Sequence, residues 1–252
     1  MNFNLRETMR LKLISCDVLQ REMSAVISQS PHQVEAEFVA MALHDLGPQM
    51  RVTLQERIDA VDPVRYDSII LGYALCGTGI ADITARSLPI VIARAHDCIA
   101  LLMGSRQRFR EYFDTHPGVY FGSPGWFESR RTVWQTASGR KVCSLGMQTK
   151  LEELVACYGE AKGRCLFESL TSALSGYKQL TYIRTGMEPD TELEKTAQSD
   201  AERHGWRFEV MAGSLSLLKR LVNGEWDSAD FLIVPPGARI RATYDELIFE
   251  AI

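Results

Sequence analysis

The chain has 252 residues, 46% of them apolar, and a formal charge of −4 from 28 basic and 32 acidic side chains. That is enough chain to bury a core without staples, as one large α/β domain or two smaller units, and the slight acidity gives no electrostatic footprint for nucleic acid. The opening residues lack the long apolar core of a secretory leader, and no apolar run approaches the roughly 20 residues that span a bilayer. The expectation is a cytoplasmic protein that takes a small-molecule ligand and has neither nucleic acid nor membrane as partner.

Residues 1–10 read as a loose terminus and residues 11–16 as a short apolar strand. Asp17 with Gln20 three residues later has the spacing of a capping box, which opens a helix over 17–28 and leaves Cys16 at the strand's carboxyl end. Residues 34–39 suit a second strand or, by their Ala and Met content, a helix; in either case His44 follows at its end. Pro48 starts a helix to residue 61. Residues 67–75 are apolar throughout and too short for a typical helix, as expected of a central parallel strand covered on both faces. A glycine turn and a short helix to residue 85 follow, then a matching strand at 89–93 and an amphipathic helix over 98–113 whose Arg106, Arg108 and Arg110 read as a solvated face.

A strand at 119–122 leads into the loop 123–126, while 127–140 resists assignment and Ser138-Gly139 suggests a turn near a boundary. Beyond it come helical patterns to residue 174, then strand, helix, strand, helix and strand at 179–184, 191–204, 206–211, 215–222 and 231–234. Alternation in both halves predicts a doubly wound α/β fold with mainly parallel sheet and flanking helices, as one continuous sheet or as two lobes with a cleft between them. The corresponding division is 1–10, an α/β unit over 11–140, and 141–252 as a second unit or a continuation of the first.

The six cysteines include no close CxxC pair, and in a reducing compartment they are expected as free thiols serving packing, metal binding or catalysis. Ligands of open parallel sheets collect beyond the carboxyl ends of the strands. Cys16, Cys76 and the His96-Asp97-Cys98 trio all fall at such ends, with His44 at a fourth if residues 34–39 form a strand. Cys16, Cys76, His96 and Cys98 together form a donor set suited to zinc, and cysteines with an open position suit an iron–sulfur cluster. A helix amino terminus at Cys98 would favour its thiolate, as ligand or nucleophile, with His96 or His44 as base. Asp97 would cap that helix or orient His96.

The bland reading is that each cysteine fills space as a small apolar group. Cys76-Gly77-Thr78-Gly79 also has the form of a short phosphate cradle, without the length or lysine of a Walker loop. Arg94 reads as an anion partner or a salt-bridged residue, and Trp126 as the aromatic wall of a ligand lid or as core.

The stretches LHDLGPQMRVTLQERID, YDSIILGYALCGTG, ARAHDCIALLMGS and PGVYFGSPGWFES, and more loosely YIRTG, LLKRLVNGEWD and FLIVPPG, resemble the family known as domain of unknown function 1638, found in methanogens and bacteria. The family's positions are matched at His44, Cys76, His96, Asp97 and Cys98, whereas its usual glycine after the first-strand cysteine is Asp17 here. Its members often lie beside corrinoid-dependent methyltransferase genes. The resemblance therefore implies a role in one-carbon methyl transfer, as an enzyme or accessory factor, with corrinoid as a possible cofactor and a corrinoid protein or methyltransferase as partner.

Overall fold

The computed structural model describes residues 8–40, 47–76, 79–129, 133–135, 141–143, 146–243 and 245–252. Strand β1 (Arg10–Cys16) passes through a 3-10 turn (Asp17–Leu19) into helix α1 (Gln20–Ile27), and β2 (Gln33–Val39), α2 (Gly47–Asp59), β3 (Ser68–Gly72) and β4 (Ile90–Ala93) follow. Next come α3 (Cys98–Met103), α4 (Arg106–Thr115), β5 (Val119–Gly122), α5 (Pro124–Ser129) and the hairpin of β6 (Val133–Gln135) and β7 (Lys141–Cys143). The remainder is α6 (Leu151–Tyr158), α7 (Glu160–Leu174), β8 (Gln179–Arg184), α8 (Glu192–Arg203), β9 (Arg207–Ala212), α9 (Ser216–Val222), β10 (Phe231–Val234), β11 (Ile240–Ala242) and β12 (Phe249–Ala251).

The fold is α/β with a mostly parallel central sheet. That sheet has the order β2-β1-β3-β4-β10, with only β10 antiparallel, and a second parallel sheet has the order β5-β8-β9. Every residue of β3 and β4 is buried, because both faces of the central sheet are covered. Leu13, Ile70 and Val91 lie across from one another in register and face a core shared with α1, α3 and α9. Ile69, Leu71 and Ile90 face the other side, where α2 and the β11–β12 hairpin pack. Strand membership crosses residue 140 in both directions: β5 pairs with β8, and β10 closes the edge of the central sheet against β4.

The structure corrects several local expectations. Asp17 opens a 3-10 turn instead of capping α1, whose N-cap is Leu19 with no side-chain cap bond. The helix expected over 98–113 is two helices. Gly104 ends α3 in the left-handed conformation (φ 72°), and Ser105 caps α4 by accepting from the Arg108 amide at 3.2 Å. The helix expected to reach residue 85 is a run of turns over the described residues 79–85, tied outward by the Asp82 amide to the Ile240 carbonyl at 2.8 Å. The loop expected at 123–126 is the start of α5: the Ser123 hydroxyl accepts from the Trp126 amide at 3.2 Å, and Pro124 occupies the first helical position.

The arginines of α4 are not an idle solvated face. Arg106 donates to the Glu246 carbonyl, Arg110 pairs with the Glu246 carboxylate, and Arg108 donates to the Ala212 carbonyl at 2.7 Å. The expectation of unpaired thiols fails at Cys143 and Cys157, which form a disulfide between β7 and α6. The terminus expected to be loose lies outside the described residues as far as residue 7, and Arg10 already belongs to β1.

Candidate functional site

In the order β2-β1-β3-β4 the chain leaves β1 toward one side of the sheet and β3 toward the other, so the topological switch point lies between the carboxyl ends of β1 and β3. Cys16 is the last residue of β1. The chain beyond β3 stays attached to its neighbour, with the Leu75 amide donating to the Ala95 carbonyl at 3.0 Å and the Cys76 amide to the His96 carbonyl at 2.9 Å. These bonds hold Cys76 at φ 47°, a backbone conformation that residues with a side chain seldom adopt. Cys98 begins α3, where Asp97 caps the helix by accepting from the Ala100 amide at 3.1 Å.

The three cysteines and Asp97 line one cavity of about 410 Å³, with Tyr73 beside them. The lining also includes residues of the second sheet and its connections: Tyr120 and Phe121 on β5, Trp126 on α5, and Tyr177 ahead of β8. Tyr120 meets Trp126 and Tyr177 edge to face, in both cases at 78° between ring planes. Among the described residues no Lys or Arg lines this cavity. The two walls meet where α5 crosses the turn after β1. A β-carbon at Gly125 would stand 1.8 Å from the Val18 carbonyl oxygen, so only glycine permits this approach.

Burial dominates the thiol chemistry. Each cysteine keeps some surface on the cavity, but the packing around its sulfur raises the cost of the thiolate. The Cys76 thiol is pushed up to about 12 by burial, with the Asp97 carboxylate adding to the shift. Burial also drives Cys16 and Cys98 well above the ordinary thiol range. Asp17 and Cys76 raise Cys16 further, and Asp97, Cys76 and Cys16 raise Cys98. The thiolate expected at Cys98 from the helix dipole is therefore disfavoured. The helix has only six residues, and desolvation beside a carboxylate outweighs it.

The other candidates divide plainly. Trp126 lines the cavity. His96 is exposed and is not among the lining residues, although its carbonyl holds Cys76. Arg94 is buried and directs its donors away from the cavity, to the carbonyls of Ser228 at 3.2 Å, Leu247 at 2.6 Å and Phe249. Gly79 is buried against Met50, with its amide donating to the Cys76 carbonyl at 3.2 Å. His44, Gly77 and Thr78 lie outside the described residues.

As the side chains stand, no three His, Cys, Asp or Glu among the described residues are close enough together to hold a metal ion. No helix among them is long and apolar enough to cross a membrane. The aromatic wall was largely missed from sequence. Tyr120 and Phe121 stand in an aromatic strand next to Trp126 and were within reach, whereas nothing local marks Tyr73 or Tyr177.

The chain belongs to the family described as Protein of unknown function (DUF1638), whose model matches residues 38–222. The match includes Cys76, His96, Asp97, Cys98 and Trp126 and begins after Cys16. No curated protein and no solved structure matches the chain.

Proposed function

We propose that this family member binds a thiophilic metal ion, zinc, through Cys16, Cys76 and Cys98, and serves one-carbon methyl-transfer metabolism as an enzyme or as an accessory to a corrinoid protein or methyltransferase. One observation carries the reading: thiols from three separate strand ends line one cavity that has a carboxylate and, among the described residues, no Lys or Arg in its wall. Left to themselves such groups stay protonated, because each thiolate would be desolvated beside like charge. A divalent cation reverses that balance, since a coordinated thiol is deprotonated outright. The donor set also fits by softness, as thiolates select zinc or an iron–sulfur cluster over hard cations.

Holding the ion would require the three side chains to move from the arrangement described, in which no three donors among the described residues lie close enough together. Once held, the metal would supply Lewis-acid chemistry toward a thiol or water. The protein's own residues would fix the geometry: the amides of Leu75 and Cys76 anchor one ligand to β4's extension, and Asp97 fixes the start of the helix that carries another. His96 joins the set only by turning inward from its exposed position.

Metal analysis of protein purified without oxygen tests the reading. One metal ion per chain is expected, falling below a tenth of that in Cys76→Ser and Cys98→Ser variants that keep the wild-type circular dichroism. Each proton displaced should strengthen binding about tenfold per pH unit below the thiol range. Metal-free protein that gains no metal on zinc addition sinks the proposal. In such protein, alkylation of Cys98 ahead of the exposed Cys165 would instead favour a metal-free cysteine nucleophile.

A further inference from the structure

We infer that Glu22 is a proton-operated latch between the two sheets: protonated, it holds the seam closed beside the cavity, and ionised, it loosens the seam and admits solvent to the cavity. The inference concerns access to the cavity and does not depend on what the cavity binds.

The latch sits where the sheets meet. Three contacts join the segment after β1 to the second sheet and its connections: Gly125 against the Val18 carbonyl, Arg21 with Glu128 of α5, and Glu22 with Thr185 just past β8. They follow one another from Val18 to Glu22, and Val18 and Trp126, at one end of the row, line the cavity. Loosening the row therefore opens the cavity at its edge.

Glu22 is the buried member of the row, at 0% exposure. Its Oε1 accepts from the Thr185 hydroxyl at 2.9 Å, while its Oε2 is buried with no partner among the described residues. Arg21 Nε and the Tyr182 hydroxyl are buried without partners as well, and Tyr182 lies within electrostatic reach of Glu22 and Glu128. A closed seam thus leaves several polar atoms dry. A neutral carboxyl bears that condition at modest cost, whereas an ionised one calls for water at its second oxygen.

The surrounding charges do not offset this cost. Arg21 attracts the ionised form, but its Nη2 is already committed to Glu128. Glu188, which accepts from the Thr185 amide at 2.8 Å, repels it. On β8, Arg184 is paired with Glu194 at 2.6 Å. On α9, which also packs against α1, Arg220 is held by Asp227 and Asp230 and Lys219 is exposed, so the shared core receives Leu218, Leu221 and Val222. Burial therefore prevails and pushes the Glu22 carboxyl up, against the pull of its own amide and of Thr185. An acid raised in the closed state favours closure in full below its open-state value, and that favour is lost as pH rises through the closed-state one.

Hydrogen exchange on the full chain, wild type against Glu22→Gln at matched pH, tests the latch, because intrinsic exchange rates nearly cancel between the two. At pH 7 the amides of α1 and of residues 185–188 should exchange about threefold or more faster in wild type, with those of β3 and β4 unchanged. The gap should close as pH falls toward about 4. Thr185→Val removes the latch's partner and should speed the same amides at both ends of that range. Alkylation of Cys98 in chelator-treated protein, scaled to the exposed Cys165, should follow the pattern of wild type against Glu22→Gln.

Equal exchange of the two proteins at pH 7, a gap that persists at pH 4, or a gap that spreads to β3 and β4 overturns the latch. A gap in exchange with none in alkylation overturns its control of the cavity. Metal uptake measured on separate samples bears on the metal centre alone.

Discussion

The two walls of the cavity are built by opposite means. The thiol wall comes from the ends of adjacent parallel strands, where the backbone ladder positions Cys16, Cys76 and the start of α3 with little freedom. The aromatic wall comes from a different sheet and reaches the first through packing, at the Gly125–Val18 crossing and through Ile183 and Phe121 in the main core, and through side-chain bonds such as Thr185 to Glu22 and Arg21 to Glu128. One wall is fixed by the register of a single sheet and the other by contacts across the seam between two sheets. Damage to the seam should therefore uncouple the walls before either unfolds locally.

The largest effect is expected from Gly125→Val. Its β-carbon would overlap the Val18 carbonyl oxygen, which is backbone and has no rotamer by which to yield. A loss of about 3 kcal/mol or more in urea unfolding is expected; a loss within about 0.5 kcal/mol would show that the seam is not a rigid contact. Arg94→Met comes next, at about 2–4 kcal/mol, because it strands buried carbonyls. That residue secures β12 to the thiol-bearing sheet through Leu247 and Phe249, so stability should fall while metal content per folded chain is unchanged. A matching loss of metal would mean that Arg94 positions the cysteines. Ser123→Ala removes the cap at the Trp126 amide and should cost about 1 kcal/mol. Its fluorescence change should be confined to the aromatic side, with thiol reactivity unaltered.

How much of this was legible in the sequence follows the same division. The thiol wall was readable because short apolar runs ending in reactive residues are local patterns, and parallel strands place their carboxyl ends together by rule. Cys16, Cys76 and Cys98 were placed that way and line one cavity. The break after Met103 was also written locally, as Gly104-Ser105, but the amphipathic period runs through it and masked the caps. Ser123-Pro124 was likewise a helix start taken for a turn. The side-chain direction at His96 and Arg94 was not legible: a strand end fixes where a residue lies, and its partners decide where it points. Nor was the Tyr120, Trp126 and Tyr177 corner, because Tyr177 comes to it from 51 residues beyond Trp126. The Cys143–Cys157 bridge depended on the proximity of β7 and α6, which spacing alone does not specify.

The smallest prediction probes the seam from the other end. Glu22 on α1 is fully buried, and its Oε1 accepts from the Thr185 hydroxyl at 2.9 Å, just past β8, so it links the helix of one sheet to the strand end of the other. Its Oε2 has no partner among the described residues. Burial raises its pKa above the ordinary carboxyl value, with Glu188 adding repulsion and Thr185 and Arg21 opposing it. An acid raised in the native state binds its proton more tightly folded than unfolded, so its contribution is fully present below the unfolded value and is lost as pH rises through the native one. Glu22→Gln keeps the acceptor for Thr185 and removes the ionisation. At pH 7 the variant should be more stable than wild type by about 0.5–1 kcal/mol, and this advantage should shrink as pH falls through the raised native value and be gone below the ordinary carboxyl range. Urea unfolding of both proteins across pH 4–7 measures it. A difference that stays constant with pH would mean that the Glu22 carboxyl titrates alike in both states and that its burial at the seam does not persist in solution.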